Sequence, residues 1–374
     1  MRTCTVPHTT FQPARRRILF FSRGRGYGHA IPDMAIADQL LGLQGDLDVR
    51  FASYGSGAQA LHEHGWAVVD LDMPDANRLC PTIVKTGQVM REMQPCTVIS
   101  HEEFTVLPVA KIFELPTIFI TEWFSDPNDD MMQSLSYADQ VIVTEDEGVF
   151  DEPPNVQGRV SYVGPVLRSF SYLRADRSRA RKELGFPQHA IILLAIPGGW
   201  ATEEKEPVSD VVLRAYDALR APAKLLVWLA GADYENLAQR CAGRDDIIVK
   251  ERDWQVDRLM VASDLAITKA NRITIRELSA VGIPSISISH GLNPIDDTLI
   301  ARIPTNVALD ARTLSHKLLV NSMLDALRDG AGVASTPAPT QSAAALLAAQ
   351  RIADRIAALS GSPARATTDT QAKG

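Results

Sequence analysis

A chain of 374 residues with 45% hydrophobic and 22% charged residues has ordinary globular composition and exceeds what one core usually serves, so two domains are expected. Its 38 basic and 45 acidic residues give a formal net charge of −7, spread along the chain, which argues against nucleic acid as a partner. The four cysteines, Cys4, Cys80, Cys96 and Cys241, lie far apart without CxxC or Cys/His ligand spacing, which excludes a disulfide framework or zinc site and fits a reducing cytoplasm.

No long apolar stretch precedes the first strand and no run of about 18 apolar residues occurs, so neither a secretory signal nor a membrane span is expected. Arg15, Arg16 and Arg17 could touch an anionic membrane surface, the one peripheral contact the sequence offers. Such a run is more often a solvated lead-in to a strand.

Short apolar runs alternate with amphipathic stretches. Ile18 to Phe21 precedes a helical pattern over Ile31 to Leu41, Val49 to Ala52 precedes Ala58 to His64, and Thr97 to Ile99 precedes Val106 to Phe113. Thr117 to Ile120, Val141 to Val143 and Tyr162 to Val163 continue the series up to Gly164 and Pro165. The pattern then restarts with Ile191 to Ile196, Leu225 to Leu229, Ile247 to Val249, Leu265 to Thr268 and Ser285 to Ile288. This alternation predicts an α/β protein of two Rossmann-like domains with parallel sheets, whose ligands sit beyond the carboxyl ends of the strands. Two such sheets facing one another would leave a cleft between them. The expected divisions are an N-terminal Rossmann-like domain over 14–165, a C-terminal Rossmann-like domain over 166–330, a linker over 331–342, a helix over 343–359 and a disordered tail over 360–374.

Gly24-Arg25-Gly26-Tyr27-Gly28-His29 lies between a strand and a helix. Glycines permit close backbone approach, and the helix start offers free amides to an anionic or oxygen-rich ligand. The spacing is not GxGxxG and no acidic residue ends the next strand, so no dinucleotide cofactor is expected. His29, placed in the first helical turn, could act as a general base, or could simply cap or pack. Pro197-Gly198-Gly199-Trp200 repeats the strand, glycine loop and helix order in the second half, as a diphosphate cradle at Gly198 and Gly199 or an ordinary tight turn.

The third segment is a strand over Leu265 to Thr268, then Lys269-Ala270-Asn271-Arg272-Ile273-Thr274, and a helix carrying Glu277. Glu277 could accept two ribose hydroxyls while Lys269 or Arg272 meets phosphate. Thr274 and Glu277 also have the spacing of a capping box, which mechanism alone favours.

These three segments, in this order, resemble the family of the bacterial lipid II N-acetylglucosaminyltransferase and its glycosyltransferase 28 relatives over residues 17–330. The resemblance implies the GT-B architecture and sugar transfer from a nucleotide diphosphate donor, UDP-sugar by default. Gly26, Gly28 and His29 match the family's loop histidine near acceptor and donor sugar. Gly164-Pro165-Val166-Leu167-Arg168 echoes its hinge and brings Arg168 to the diphosphate. The ribose-binding glutamate falls on Glu277, and the phosphate-binding helix start on Asn271 to Thr274. Where the family has Ser-Gly-Ala this chain has Ala270-Asn271-Arg272, and where it has a Gln pair this chain has Asn293, Asp296 and Asp297 as sugar contacts. The acceptor-side glycine stretch is replaced by Ser100-His101-Glu102-Glu103, with Thr121-Glu122-Trp123-Phe124-Ser125-Asp126 on the next strand, so lipid II itself is not implied.

The expected chemistry is an inverting displacement with His29 as base and His101, Glu102, Glu122 and Asp126 as rivals. Leaving-group charge would be met by helix N-termini, Arg168, Arg272 or Lys269; no DxD pair stands in a suitable loop, and no metal is expected. The acceptor, whether a glycan, a lipid-linked molecule or a small natural product, is not specified. The rivals are a nucleotide-sugar hydrolase, a nucleotide-sugar 2-epimerase and an inactive GT-B partner subunit.

Overall fold

The structure, a computed structural model, describes residues 16–43, 46–72, 79–126, 129–197, 207–291, 294–333 and 339–361. Gly198, Gly199 and Asn293 lie outside the described residues, as does Arg15. The chain divides into two compact units, Met1–Gly164 together with Ala348–Gly374, and Pro165–Leu347.

The first unit holds a seven-stranded sheet: β1 Arg16–Ser22, β2 Leu47–Ser53, β3 Val68–Asp70, β4 Thr97–His101, β5 Thr117–Thr121, β6 Gln140–Val143 and β7 Val160–Tyr162. Their order is β3-β2-β1-β4-β5-β6-β7, and every ladder is parallel. The second unit holds six parallel strands: β8 Ile191–Ile196, β9 Lys224–Leu229, β10 Ile247–Lys250, β11 Leu265–Lys269, β12 Ser285–Ser289 and β13 Asn306–Asp310. Their order is β10-β9-β8-β11-β12-β13. In each sheet strand order reverses beside the first strand, between β1 and β4 and between β8 and β11. The connections there leave in opposite directions, and a crevice opens at the carboxyl ends.

The central strands form because both of their faces are covered. In β8, Leu193 and Ala195 join the cluster that includes Trp228, Val212, Tyr216, Leu319 and Met323, while Ile192 and Leu194 join Leu259, Met260 and Leu278 on the other face. Strands buried on two faces appear in sequence as continuous apolar runs, and these are the strands the sequence predicts. Two of the less buried strands are not predicted from the sequence. β3 has three half-buried or exposed residues, and β13 is an edge strand whose Val307 and Ala308 are exposed.

The C-terminal region departs from expectation. Instead of a linker over 331–342 and a helix over 343–359, one helix runs His316–Val333 and a second runs Pro339–Gly361. Pro339 opens its helix, where its missing amide costs nothing. Ser360 belongs to that helix rather than to a tail, and its hydroxyl lies 3.1 Å from Thr97 Oγ1. Ala348, Ala349, Ile352, Ala353 and Ile356 are buried, which joins this helix to the first unit.

The basic run is likewise built into the sheet. Arg17 Nε donates to Asp48 Oδ2 at 2.8 Å and Arg16 pairs with Asp46 at 3.4 Å. No helix among the described residues is long and apolar enough to cross a membrane.

A buried guanidinium anchors the second unit. Arg181, 1% exposed, donates through Nη2 to Asp264 Oδ2 at 2.7 Å and through Nε to the Ala262 carbonyl at 2.8 Å, while the same Asp264 oxygen accepts the Ile192 amide at 2.8 Å. Removing one partner of a buried ion pair strands the other charge at a cost of about 3–5 kcal/mol. Asp264→Ala therefore should lose stability of that order in urea unfolding followed by the fluorescence of Trp228, which lies in the core of the same unit.

Candidate active site

The first unit presents its chemistry at the crevice between β1 and β4. After Ser22 the chain passes through Arg23 to Tyr27 and reaches His29, one residue before the helix Ala30–Leu43. The His29 carbonyl accepts the Asp33 amide at 3.0 Å, so His29 sits at the cap of that helix rather than inside its first turn.

Gly24 is the sterically demanding glycine of the loop: a Cβ there would lie 2.1 Å from the Tyr54 carbonyl oxygen. Gly26 has φ +73°, the left-handed region glycine tolerates. Its amide donates to Ser56 Oγ at 2.9 Å, so it is committed to the protein instead of waiting for an anion. A Cβ on Gly28 would meet nothing within 4 Å.

Glu102 directly follows β4 in a left-handed conformation, φ +55°, which is costly for a residue with a side chain. The compensation is its carboxylate, in a residue only 5% exposed. Oε2 accepts His29 Nε2 at 3.0 Å and Arg23 Nη1 at 3.1 Å; Oε1 accepts Thr121 Oγ1 at 3.1 Å and the Glu122 amide at 3.2 Å. Burial alone pushes this carboxyl up. The hydrogen bond and charge of His29, the charge of His101 and the Glu122 amide outweigh it and hold Glu102 well below the usual carboxylate range. An ionised carboxylate can only accept, so His29 donates through Nε2 and, when neutral, carries its lone pair on Nδ1. Nδ1 is buried with no hydrogen-bond partner among the described residues.

The rival bases occupy different positions. Glu122 is half-buried and reaches Glu102 through its backbone amide; Asp126 is exposed. His101 ends β4 and is buried, with Nδ1 2.8 Å from Asp33 Oδ1, and its ring meets that of His29 edge-on at 4.8 Å between centroids. Glu103 accepts the Tyr54 hydroxyl at 2.8 Å, and burial pushes its carboxyl up. Arg23, Asp33 and Tyr54 are site residues that sequence reasoning missed. None stands in a spacing that marks it, although Asp33, an acid on an otherwise apolar helix face, was the available signal.

In the second unit the third segment follows β11. Asn271 caps the helix Arg272–Ala280, its Oδ1 accepting the Thr274 amide at 3.0 Å. The capping box between Thr274 and Glu277 is therefore absent, because Asn271 already stands at the cap. Glu277 instead lies a turn further on, 1% exposed, and its Oε1 accepts Arg168 Nε at 2.8 Å. Arg272, also buried, pairs through Nε with Asp296 Oδ1 at 2.7 Å. Asp297 Oδ1 accepts Ser289 Oγ at 2.5 Å and lines a cavity of about 210 Å³ with Ala270, Ser287, Asp310 and Arg312. Lys269 closes β11, half-buried. Among the described residues no group of three or more His, Cys, Asp or Glu side chains is arranged to hold a metal ion.

No family model matches the chain. It is 24% identical over 298 residues to the UDP-N-acetylglucosamine–N-acetylmuramyl-(pentapeptide) pyrophosphoryl-undecaprenol N-acetylglucosamine transferase of Desulforudis audaxviator strain MP104C, covering 73% of this chain and 78% of that one. Among solved structures, the glycosyltransferase of kitacinnamycin superposes with a TM-score of 0.65 at 16% identity, over 93% of this chain and all of the other. The UDP-GlcNAc 2-epimerase of Neisseria meningitidis superposes with a TM-score of 0.61 at 11% identity, over 92% and 99%. The chain thus has the GT-B fold, resembles the lipid II N-acetylglucosaminyltransferases in sequence, and is a glycosyltransferase.

Proposed function

We propose that this glycosyltransferase moves a sugar from a nucleotide diphosphate donor, a UDP-sugar by default, to an acceptor hydroxyl by a single displacement that inverts the anomeric carbon. The observation that carries this reading is the His29–Glu102 couple: an imidazole tied at 3.0 Å to a buried, ionised carboxylate at the carboxyl ends of two central strands. The acceptor oxygen attacks the anomeric carbon, its proton passes to His29 Nδ1, and the bond to the diphosphate breaks as the nucleotide leaves. Glu102 stabilises the imidazolium that forms. A positioned general base of this kind is worth roughly 10²–10⁴-fold in rate.

In the second unit Glu277 would accept the ribose hydroxyls, and Arg168, Arg272 and Lys269 would meet the departing diphosphate. The UDP-linked donor named for the relatives supports the choice of nucleotide. Asp296 and Asp297 would contact the sugar, Asp296 only by sharing or releasing Arg272. The acceptor is a hydroxyl of a glycan, a lipid-linked molecule or a small natural product.

The test is a panel of UDP-, dTDP- and GDP-sugars without acceptor, scored for thermal stabilisation and released nucleotide. One nucleotide should stabilise the protein with little release, and Glu277→Ala should abolish the stabilisation. Once an acceptor is found, His29→Ala should lower turnover by roughly 10²–10⁴-fold. Rapid release that depends on His29 without acceptor would make the enzyme a hydrolase, and silence toward every nucleotide would refute the donor site.

The charge of Glu102 has its own signature. Because its folded-state value lies below the unfolded one, its contribution to stability is complete above the ordinary carboxylate range and is lost progressively as pH falls below that range toward the depressed folded-state value. Glu102→Gln should cost about 2 kcal/mol at neutral pH, and the gap from wild type should shrink below about pH 4 in denaturant titrations.

A further inference from the structure

We propose that Arg174, Arg177 and Arg181 form a phosphate-binding site at the amino ends of β8 and β11, the end of the sheet opposite the donor groups.

The three arginines share one face. Arg174 opens a short turn, Arg174–Asp176, that runs directly into the helix Arg177–Leu184, and spacings of three and four residues place side chains along one side. That side meets the junction between the helix Val256–Ala262 and β11. Arg181 Nη2 donates to Asp264 Oδ2 at 2.7 Å, Arg177 Nη2 donates to Asp264 Oδ1, and Arg174 Nη1 donates to the Ser263 carbonyl at 3.3 Å. Asp264 directly precedes β11 and also holds the amide of Ile192 near the start of β8. Lys269, Arg272 and Glu277 lie at or beyond the carboxyl end of β11. At about 3.3 Å per residue, the strand separates the two groups by about 15 Å.

A structural clamp needs one of these arginines, not three. Arg181 is the clamp: it is buried, and its remaining donors go to the carbonyls of Ala262, Gln188 and Ala190. Its carboxylate, Asp264, is shared with Arg177, and among the described residues no carboxylate pairs with Arg174. Arg177 Nε is buried without a hydrogen-bond partner among the described residues. Three guanidiniums on one carboxylate leave two positive charges uncompensated. Burial and the charges of Arg177 and Arg181 hold the Arg174 guanidinium below its ordinary value against the pull of Asp264, a repulsion that a bound anion relieves.

Arg174 and Arg177 are only half-buried, so their guanidiniums are open to a ligand from solvent. A phosphate carries about the charge left over, and its oxygens accept from two guanidinium forks at once; a carboxylate supplies half the charge and fewer acceptors. The same chemistry is offered by a soluble phosphate and by the headgroup of an anionic lipid.

Thermal unfolding in inorganic phosphate, against chloride at equal ionic strength, tests the site without donor or acceptor. Phosphate at about ten times its dissociation constant should raise the midpoint of the wild type by roughly 3–5 °C, and by less than about half of that in Arg174→Gln. That variant gives up one long bond to a carbonyl and leaves the Arg181–Asp264 pair intact; Arg177→Gln serves as the second variant and should lose the response likewise. No rise in the wild type overturns the proposal. So does a rise above half the wild-type value in a folded variant, which would put the phosphate elsewhere, as on the donor groups. Co-sedimentation with phosphatidylcholine vesicles, with and without phosphatidic acid, then separates the sources. Binding that needs both phosphatidic acid and Arg174 identifies a lipid headgroup, whereas indifference to vesicles in a protein that phosphate stabilises through Arg174 identifies a soluble phosphate.

Discussion

Glu102 is the constraint on which the site of the first unit depends. Its backbone is held where a side chain is unfavourable, and its buried carboxylate is satisfied only because two segments deliver donors to it. Arg23 and His29 come from the connection after β1, and Thr121 and the Glu122 amide from the end of β5. Those strands flank β4 in the sheet, so the parallel order β1-β4-β5 is what brings the donors to one point. A charge buried this deeply is tolerable only while every partner stays in place, which makes the carboxylate a fastener as well as a functional group.

The second unit uses charge in a similar way with a different outcome. Glu277 and Arg272 are buried and paired, to Arg168 and Asp296 respectively. A donor that engages these groups exchanges protein ion pairs for its own hydroxyls and phosphates and does not enter an unprepared surface. The helix start offers less than its position promises, because Asn271 already occupies the Thr274 amide. Holding a diphosphate there would fall more heavily on arginine and lysine side chains than on free amides.

The parallel sheets were legible in the sequence where strands are covered on both faces, as β8 and β11 are, and also at the edge strand β10, read from Ile247 to Val249, whereas the edge strands β3 and β13 were missed. His29 was legible because it follows a glycine loop between a strand and a helix, and Glu277 only through the family resemblance, since its spacing alone favoured a cap. Its partner was not: the capping-box spacing of Thr274 and Glu277 competes with a cap by Asn271, and only three-dimensional position decides between them. Glu102 and His101 were visible as polar residues ending a strand, but their partners Arg23 and Asp33 are single residues distant in sequence whose meeting is a product of the fold.

The most direct test of the His29–Glu102 couple is a double-mutant cycle on turnover with His29→Ala, Glu102→Ala and the pair combined. Residues that act as one unit lose most of their effect together, so the double variant should be scarcely slower than His29→Ala alone. Losses that multiply across the two sites would show that Glu102 and His29 act independently, and would contradict the assignment of Glu102 as the partner of the base.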